Sequence, residues 1–92
     1  MILSFKHKGL EAFYTSDSVT GIQSKHAAKL RLILTALDIA SEPADLNYPS
    51  FHLHPLKGDL LNFWSIRVNG HWRVIFRFID KNIELVNYLD YH

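Results

Sequence analysis

The residues best equipped for chemistry are histidines and cations gathered in the second half of the chain. Positions 51–79 hold Lys57, Arg67, Arg73 and Arg77 against Asp59 alone, with His52, His54 and His71 among them. Positions 80–92 reverse the balance, setting Asp80, Glu84 and Asp90 against Lys81. Over the whole chain the net charge is only +1, too weak for indiscriminate binding to nucleic acid. A local basic, histidine-rich stretch on a near-neutral protein marks instead an anion or phosphate site. If His54, Asp90 and His92 share a sheet face with Lys57 and the arginines, the set meets the needs of RNA cleavage by a neighbouring 2′-hydroxyl. One group takes the hydroxyl proton, cations stabilise the five-coordinate phosphate, and an acid protonates the departing 5′ oxygen. Histidine suits the proton transfers because its unperturbed pKa is about 6.5.

These residues can converge only if the elements beneath them have the right register. Ile2–Phe5 is a short strand candidate. Leu10, Phe13 and Tyr14 repeat at helical spacing and predict a short helix from Lys8 to Tyr14, followed by the Thr15-Ser16-Asp17-Ser18 loop. Ser24 is a candidate N-cap for a second helix, Lys25–Ile39. Its stripe Leu30, Ile33, Leu34 and Leu37 is flanked by a second one, Leu32, Ala36 and Ile39. That arc is wider than a one-sided contact requires, so the helix must pack twice or keep a face for a partner. Pro43 stops it.

From residue 50 onward the period becomes two. Phe51 and Leu53 alternate with His52 and His54, and the run Pro55–Asp59 turns the chain. Trp64, Ile66 and Val68 alternate with Ser65 and Arg67, and Trp72, Val74, Phe76 and Phe78 with Arg73, Ile75 and Arg77. A two-residue turn at Asn69-Gly70 would pair Arg67 with Trp72 and mix the faces. A loop of three or five residues around Asn69-Gly70-His71 keeps the apolar residues together and places Ser65, Arg67, Arg73 and Arg77 on the other face. After the Asp80-Lys81-Asn82 turn the last strand, Ile83–His92, alternates Glu84, Val86, Tyr88, Asp90 and His92 with a more apolar set. Strict alternation therefore puts Asp90 and His92 with the arginines and Tyr91 opposite them. The whole is a segregated α+β domain, with helices backing a mainly antiparallel sheet.

Composition narrows the classes further. With 48% apolar and 21% charged residues the chain is an ordinary globular sequence of single-domain size, residues 1–92, which excludes disordered and fibrous architectures. No cysteine is present, so neither a disulfide framework nor a thiolate metal site is possible. No apolar run approaches the roughly 18 residues of a membrane span. The opening Met1–Lys8 is too short and too soon charged for a signal peptide, giving a cytoplasmic expectation.

Ser4-Phe5-Lys6-His7-Lys8-Gly9-Leu10, Leu53-His54-Pro55-Leu56-Lys57-Gly58-Asp59, Trp64-Ser65-Ile66, Trp72-Arg73 and Asn87-Tyr88-Leu89-Asp90-Tyr91-His92 together resemble the HigB toxins of the RelE/ParE superfamily. The likeness runs collinearly over almost the whole chain. It implies a RelE-like fold, in which an N-terminal strand and two helices pack on a curved, mainly antiparallel sheet. It also implies a ribosome-dependent endoribonuclease of a type II toxin–antitoxin system, cutting messenger RNA in the decoding site without a metal or other cofactor. The implied partners are a HigA-type helix-turn-helix antitoxin and the message-loaded ribosome, with operator DNA reached only through the antitoxin complex. Carried over by position, the family's active site falls on His54, Lys57, Arg73, Asp90, Tyr91 and His92. In that transfer His92 moves protons, and Asp90 orients it or acts as base. Lys57 and Arg73 hold the phosphate, Tyr91 contacts the substrate base, and His54 supports phosphate binding or proton transfer. Arg67 and Arg77 are the expected flanking RNA contacts. His71 and Leu89 depart from residues common at those positions in relatives, which bears on codon preference.

Two other classes compete. His52 and His54, two apart on a strand, could join Asp90 in a two-histidine, one-carboxylate metal site. A non-catalytic module like the gyrase-poisoning branch of the superfamily would need none of the acid–base set.

Overall fold

The computed structural model describes residues 1–91. Helix α1 spans Lys8–Ser16 and helix α2 Ala27–Ile39. Strands β1 His54–Pro55, β2 Phe63–Asn69, β3 Trp72–Ile79 and β4 Asn82–Asp90 form one sheet in the order β1-β2-β3-β4. Every neighbouring pair of these strands is antiparallel.

Helix α1 begins where the His7 Nδ1 accepts the Leu10 N–H at 2.9 Å, an imidazole in the role that serine or aspartate more often fills. It ends at Asp17, whose left-handed φ of 58° returns its N–H to the last turn. It runs one turn's fraction beyond the expected Tyr14. Helix α2 is entered through a 3₁₀ turn, Ser24–His26, so Ser24 heads that turn rather than capping the α-helix. Leu10 and Phe13 of α1 and Leu30, Ile33, Leu34 and Leu37 of α2 are buried against one face of the sheet. That face contributes Ile66, Val74, Phe76, Ile83, Val86 and Tyr88. The second apolar stripe of α2 finds no such cover, for Leu32 and Ile39 are exposed.

The N-terminal segment is less regular than a strand. It lies parallel to β4 through two isolated bridges, Ile2 to Ile83 and Phe5 to Val86. Its Leu3 and Lys6 amides donate to the Ile83 and Val86 carbonyls at 2.7 and 2.8 Å. The Asp38 carboxylate at the end of α2 accepts the Ile2 amide at 3.2 Å, anchoring the segment.

Two irregularities set the register. Arg67 pairs with Arg73 but Asn69 pairs with Trp72, so one extra residue, Val68, is taken up beside a two-residue Gly70-His71 tip. Gly70 has a φ of +58°, the conformation glycine adopts without penalty. Five residues therefore separate the Arg67–Arg73 pair, and the expected register holds. The second irregularity overturns an expectation. Between the pairs Arg77–Glu84 and Ile75–Asn87, β4 advances three residues while β3 advances two. The extra step is at Leu85, held at φ +57°, with its amide donated to the Ser4 Oγ at 2.9 Å. This β-bulge switches the faces of everything that follows. Val86 and Tyr88 enter the core, while Asn87 and Leu89 come to the open face.

Candidate active site

The open face reads as a grid. One row across the strands is Arg67–Arg73–Leu89, the next is His54–Ser65–Ile75–Asn87, and the third is Phe63–Arg77–Glu84. Loop residues 56–62 approach this face, and Leu56 is buried on it. At the first two rows a cleft of about 290 Å³ opens, lined by His52, His54, Leu56, Ser65, Arg73 and Tyr91.

Each lining residue is positioned by a distinct device. His54 is carried by the two-residue β1, opposite Ser65. His52, which alternation predicts on a strand, is not on one. It caps the 3₁₀ turn Pro49–Phe51 in a left-handed conformation, φ 47°, and reaches the cleft from there. Arg73 faces Arg67 directly across the hairpin, a like-charge pair that destabilises a sheet unless one member turns away. Its Nη1 donates to the Gly70 carbonyl at 2.6 Å and to the Trp72 carbonyl at 3.0 Å. Tyr91 extends the ladder one step beyond β4, its amide donating to the His71 carbonyl at 2.8 Å. The hairpin tip thus fixes both the arginine and the tyrosine.

Several sequence expectations are revised here. Tyr91, placed opposite the arginines by strict alternation but in the active site by the family resemblance, lines the cleft with Arg73 because of the Leu85 bulge. For the same reason Asp90, expected among the arginines, pairs with Trp72 in the register of the core-facing residues, although it is exposed at the sheet's end. Lys57 precedes the 3₁₀ turn Gly58–Leu60, outside the cleft's lining. Arg67 is exposed on the open face. Arg77 is engaged elsewhere: its Nε donates to the Glu84 carboxylate at 2.6 Å, and its guanidinium lies 5.5 Å from the Phe63 ring centroid. His92 lies outside the described residues. Among the described residues no three histidine, aspartate or glutamate side chains stand close enough to share a metal ion. The sequence reading of β4 missed one legible signal, the adjacent apolar pair Leu85-Val86 that interrupts its alternation.

Beneath the cleft, on the core side, Trp72 packs on Tyr88 with ring centroids 4.7 Å apart. The Tyr88 hydroxyl is 2.6 Å from the Nδ1 of buried His26. Burial, and then the nearby Lys25 charge, lowers the His26 pKa. Burial raises that of Tyr88 against the opposing hydrogen bond from the Gln23 amide. This trio is neutral support for the hairpin that carries Arg73.

Two helices on one face of a four-stranded antiparallel sheet, with a cleft lined by His52, His54 and Arg73 on the other, make this an α+β domain of the RelE-like fold. The fold matches solved structures at low sequence identity. The YoeB-YefM complex from Staphylococcus aureus superposes with a TM-score of 0.64 at 19% identity, covering 100% of this chain and 95% of that one. A YafQ mutant from E. coli gives 0.60 at 17%, covering 96% and 89%. Residues 3–92 match the family model described as the RelE-like toxin of the type II toxin–antitoxin system HigB. Among characterised relatives, "Endoribonuclease HigB" of Proteus vulgaris is 41% identical over 92 residues, covering all of both chains. "Toxin HigB-1" of Vibrio cholerae serotype O1 is 37% identical over 98 residues, covering all of this chain and 98% of that one. The chain belongs to the HigB-like toxin family.

Proposed function

We propose that this HigB-like toxin is a ribosome-dependent endoribonuclease that cuts messenger RNA in the decoding site by metal-independent acid–base chemistry. The observation that carries the reading is the convergence of His52, His54, Ser65, Arg73 and Tyr91 in one cleft on the sheet face that the helices leave open. The family membership and the name of the Proteus vulgaris relative support it.

Arg73 supplies the cation for the scissile phosphate. Only its Nη1 is used on the hairpin carbonyls, and a guanidinium carries five N–H donors in all. His54, on the same face, supports phosphate binding or a proton transfer, and Lys57 adds charge from the cleft's edge. Tyr91 offers a ring on which the substrate base stacks and a hydroxyl that hydrogen-bonds it. Asp90 is the last residue of β4; it and the sequence-terminal His92 supply the remaining proton transfers, with Asp90 orienting His92 or acting as base. Arg67 meets the RNA strand as it leaves the cleft. So few groups suffice when the ribosome positions the message, since held geometry alone can contribute many orders of magnitude. The near-neutral net charge fits a protein that does not bind free RNA tightly. A HigA-type helix-turn-helix antitoxin is the proposed partner, and operator DNA is reached only through that complex. The solved YoeB-YefM neighbours are themselves toxin–antitoxin complexes.

The test is cleavage of message on programmed ribosomes and of free message, with and without chelator, beside a His92→Ala variant. Ribosome-dependent cuts that survive the chelator and disappear in the variant are expected. Equal cutting by the variant removes His92 from the chemistry, and chelator-sensitive cutting favours the metal alternative. No cutting in any arm by folded protein overturns the nuclease reading in favour of a gyrase inhibitor.

A further inference from the structure

Next to the cleft, on the same open face, lies a second recess. It is more enclosed and smaller, about 140 Å³, and is lined by Lys6, Leu60, Phe63, Ile75, Leu85, Asn87 and Leu89. Its floor adjoins the cleft by single ladder steps, for Ile75 pairs with Ser65 and Leu89 pairs with Arg73. Directly opposed residues in an antiparallel sheet are roughly 5 Å apart, so the recess begins about one strand spacing from the residues assigned to the phosphate. Most of its lining is flat and apolar: Ile75, Leu89, Leu85 and the Phe63 ring. Lys6 adds a positive charge at the rim.

One polar group stands in this apolar surround, and its orientation is fixed. The Asn87 Oδ1 accepts the Tyr88 backbone N–H at 3.0 Å. A backbone amide can only donate, so the atom facing it is the oxygen, and the amide nitrogen is the end left over. No described residue accepts a hydrogen bond from that Nδ2. Solvent reaches this Nδ2, which is not among the buried unpaired polar atoms, so a ring that enters the recess and displaces that water must offer an acceptor in its place. Its surroundings favour a flat, largely apolar ring with an acceptor on its edge, attached to an anionic backbone that runs past Arg73 and Lys6.

We propose that this recess is a nucleobase subsite. It holds the base of one nucleotide flanking the scissile bond, with Asn87 Nδ2–H donating to a ring nitrogen or carbonyl on the base edge and Lys6 meeting the neighbouring phosphate. The proposal rests on the nuclease reading above and adds to it the residue that sets the base preference at one position of the message. Strict alternation puts Asn87 in the more apolar set of the last strand, away from the arginines. The Leu85 bulge brings it to the open face and contributes Leu85 itself to the recess wall.

The Asn87→Asp variant removes the donor while the carboxylate can still accept the Tyr88 amide; the charge it adds repels the RNA backbone at every sequence alike, so the readout is the relative preference and not the rate. Its fold is checked by thermal unfolding, and its cuts on a randomised message bound to ribosomes are mapped by sequencing. We expect the preference at one position beside the cut to weaken by about tenfold, the magnitude of one hydrogen bond, with the preferences at other positions unchanged. Lys6→Ala should lower cutting at all sequences alike. If Asn87→Asp cuts with the unaltered pattern, the subsite is overturned while the nuclease reading stands. If it does not cut at all, a photoreactive benzoylphenylalanine at Leu60 in the otherwise unsubstituted chain decides the matter. Crosslinking to a single nucleotide beside the cut supports the subsite, and crosslinking elsewhere or not at all overturns it. If the unsubstituted protein cuts no RNA, the nuclease reading and the subsite fall together.

Discussion

Replacing Ser4 with alanine removes the acceptor that holds the Leu85 amide in the β4 bulge. Leaving that half-buried N–H unpaired costs about 1–3 kcal/mol, toward the lower end where water can reach it. The bulge also carries the left-handed backbone of Leu85, φ +57°, at roughly 1–2 kcal/mol for a non-glycine residue. A strand without the bulge escapes both costs, yet it turns Val86 and Tyr88 out of the core, where they are 0% and 3% exposed. Losing that burial costs about 1.5–3 kcal/mol for each side chain, and Asn87 would be buried in their place. The apolar burial therefore outweighs the local relief, and the bulge survives the substitution. Ser4→Ala should lower stability by about 1–2 kcal/mol. Tm should fall by roughly 4–8 °C for each of those kcal/mol in a domain of this size. Urea unfolding measures the loss, and the nuclear Overhauser contact between the Arg73 and Leu89 backbones reports the register. Stability within about 0.3 kcal/mol of the unsubstituted protein would show that Ser4 does not hold the bulge, a difference below the usual cost of an unmade hydrogen bond. A contact moved from Leu89 to Tyr88, the partner of Arg73 when the Arg77–Glu84 register continues unbroken, would show that burial of Val86 and Tyr88 does not fix the register.

The two arginines of β3 should separate cleanly: Arg73→Ala should reduce cutting on ribosomes by about 10²-fold or more, as losses of transition-state charge stabilisation do, whereas Arg77→Ala should affect unfolding more than cutting because Arg77 is paired with Glu84. Burial holds the His7 and His26 pKa values below their ordinary 6.5. The folded state thus takes up protons less readily than the unfolded chain, and stability should be complete above about pH 6.5 and fall as the pH drops below it. Urea titrations from pH 8 to pH 5 check this, and His26→Gln should flatten part of the acid limb. Gly9→Ala should destabilise by about 1–3 kcal/mol, because a Cβ there runs into the Gly21 backbone; an unchanged Tm would contradict that packing.

Much of this site is legible in the residues themselves because period two reports faces directly. The alternation of β2 and β3, with the mismatch a two-residue turn would create, leads to the Arg67–Arg73 pair even though the structure meets it with a bulge at Val68. The helical stripes of Leu10 and Phe13 and of Leu30, Ile33, Leu34 and Leu37 identify the buried helix faces for the same reason. Beyond Leu85 the same reasoning fails. One inserted residue inverts each later position, so Asp90 and Tyr91 exchange their expected sides and Asn87 changes face. The doublet Leu85-Val86 is the local trace of that insertion. Its stabilising partner, Ser4, lies 81 residues away, and no local pattern reveals such a pairing. His52 escapes alternation for another reason, since a 3₁₀ turn rather than a strand presents it.

The parallel pairing of residues 2–5 with residues 83–86 has a kinetic consequence. The hydrogen bonds of helices α1 and α2 are local and form on the microsecond scale, while the sheet face that stabilises helices this short is assembled from segments synthesised later. During synthesis the apolar side of α2 is exposed until the β2–β3 hairpin emerges. The N-terminal segment remains unmatched until β4 has cleared the ribosome. The bulge that turns Tyr91 toward Arg73 requires both ends of this pairing, so the cleft is the last part of the molecule to be built. A nascent toxin passes through a catalytically blank, sticky-faced interval on its way to the finished fold. In that interval, a partner that captures the exposed helices arrives before there is any activity to restrain.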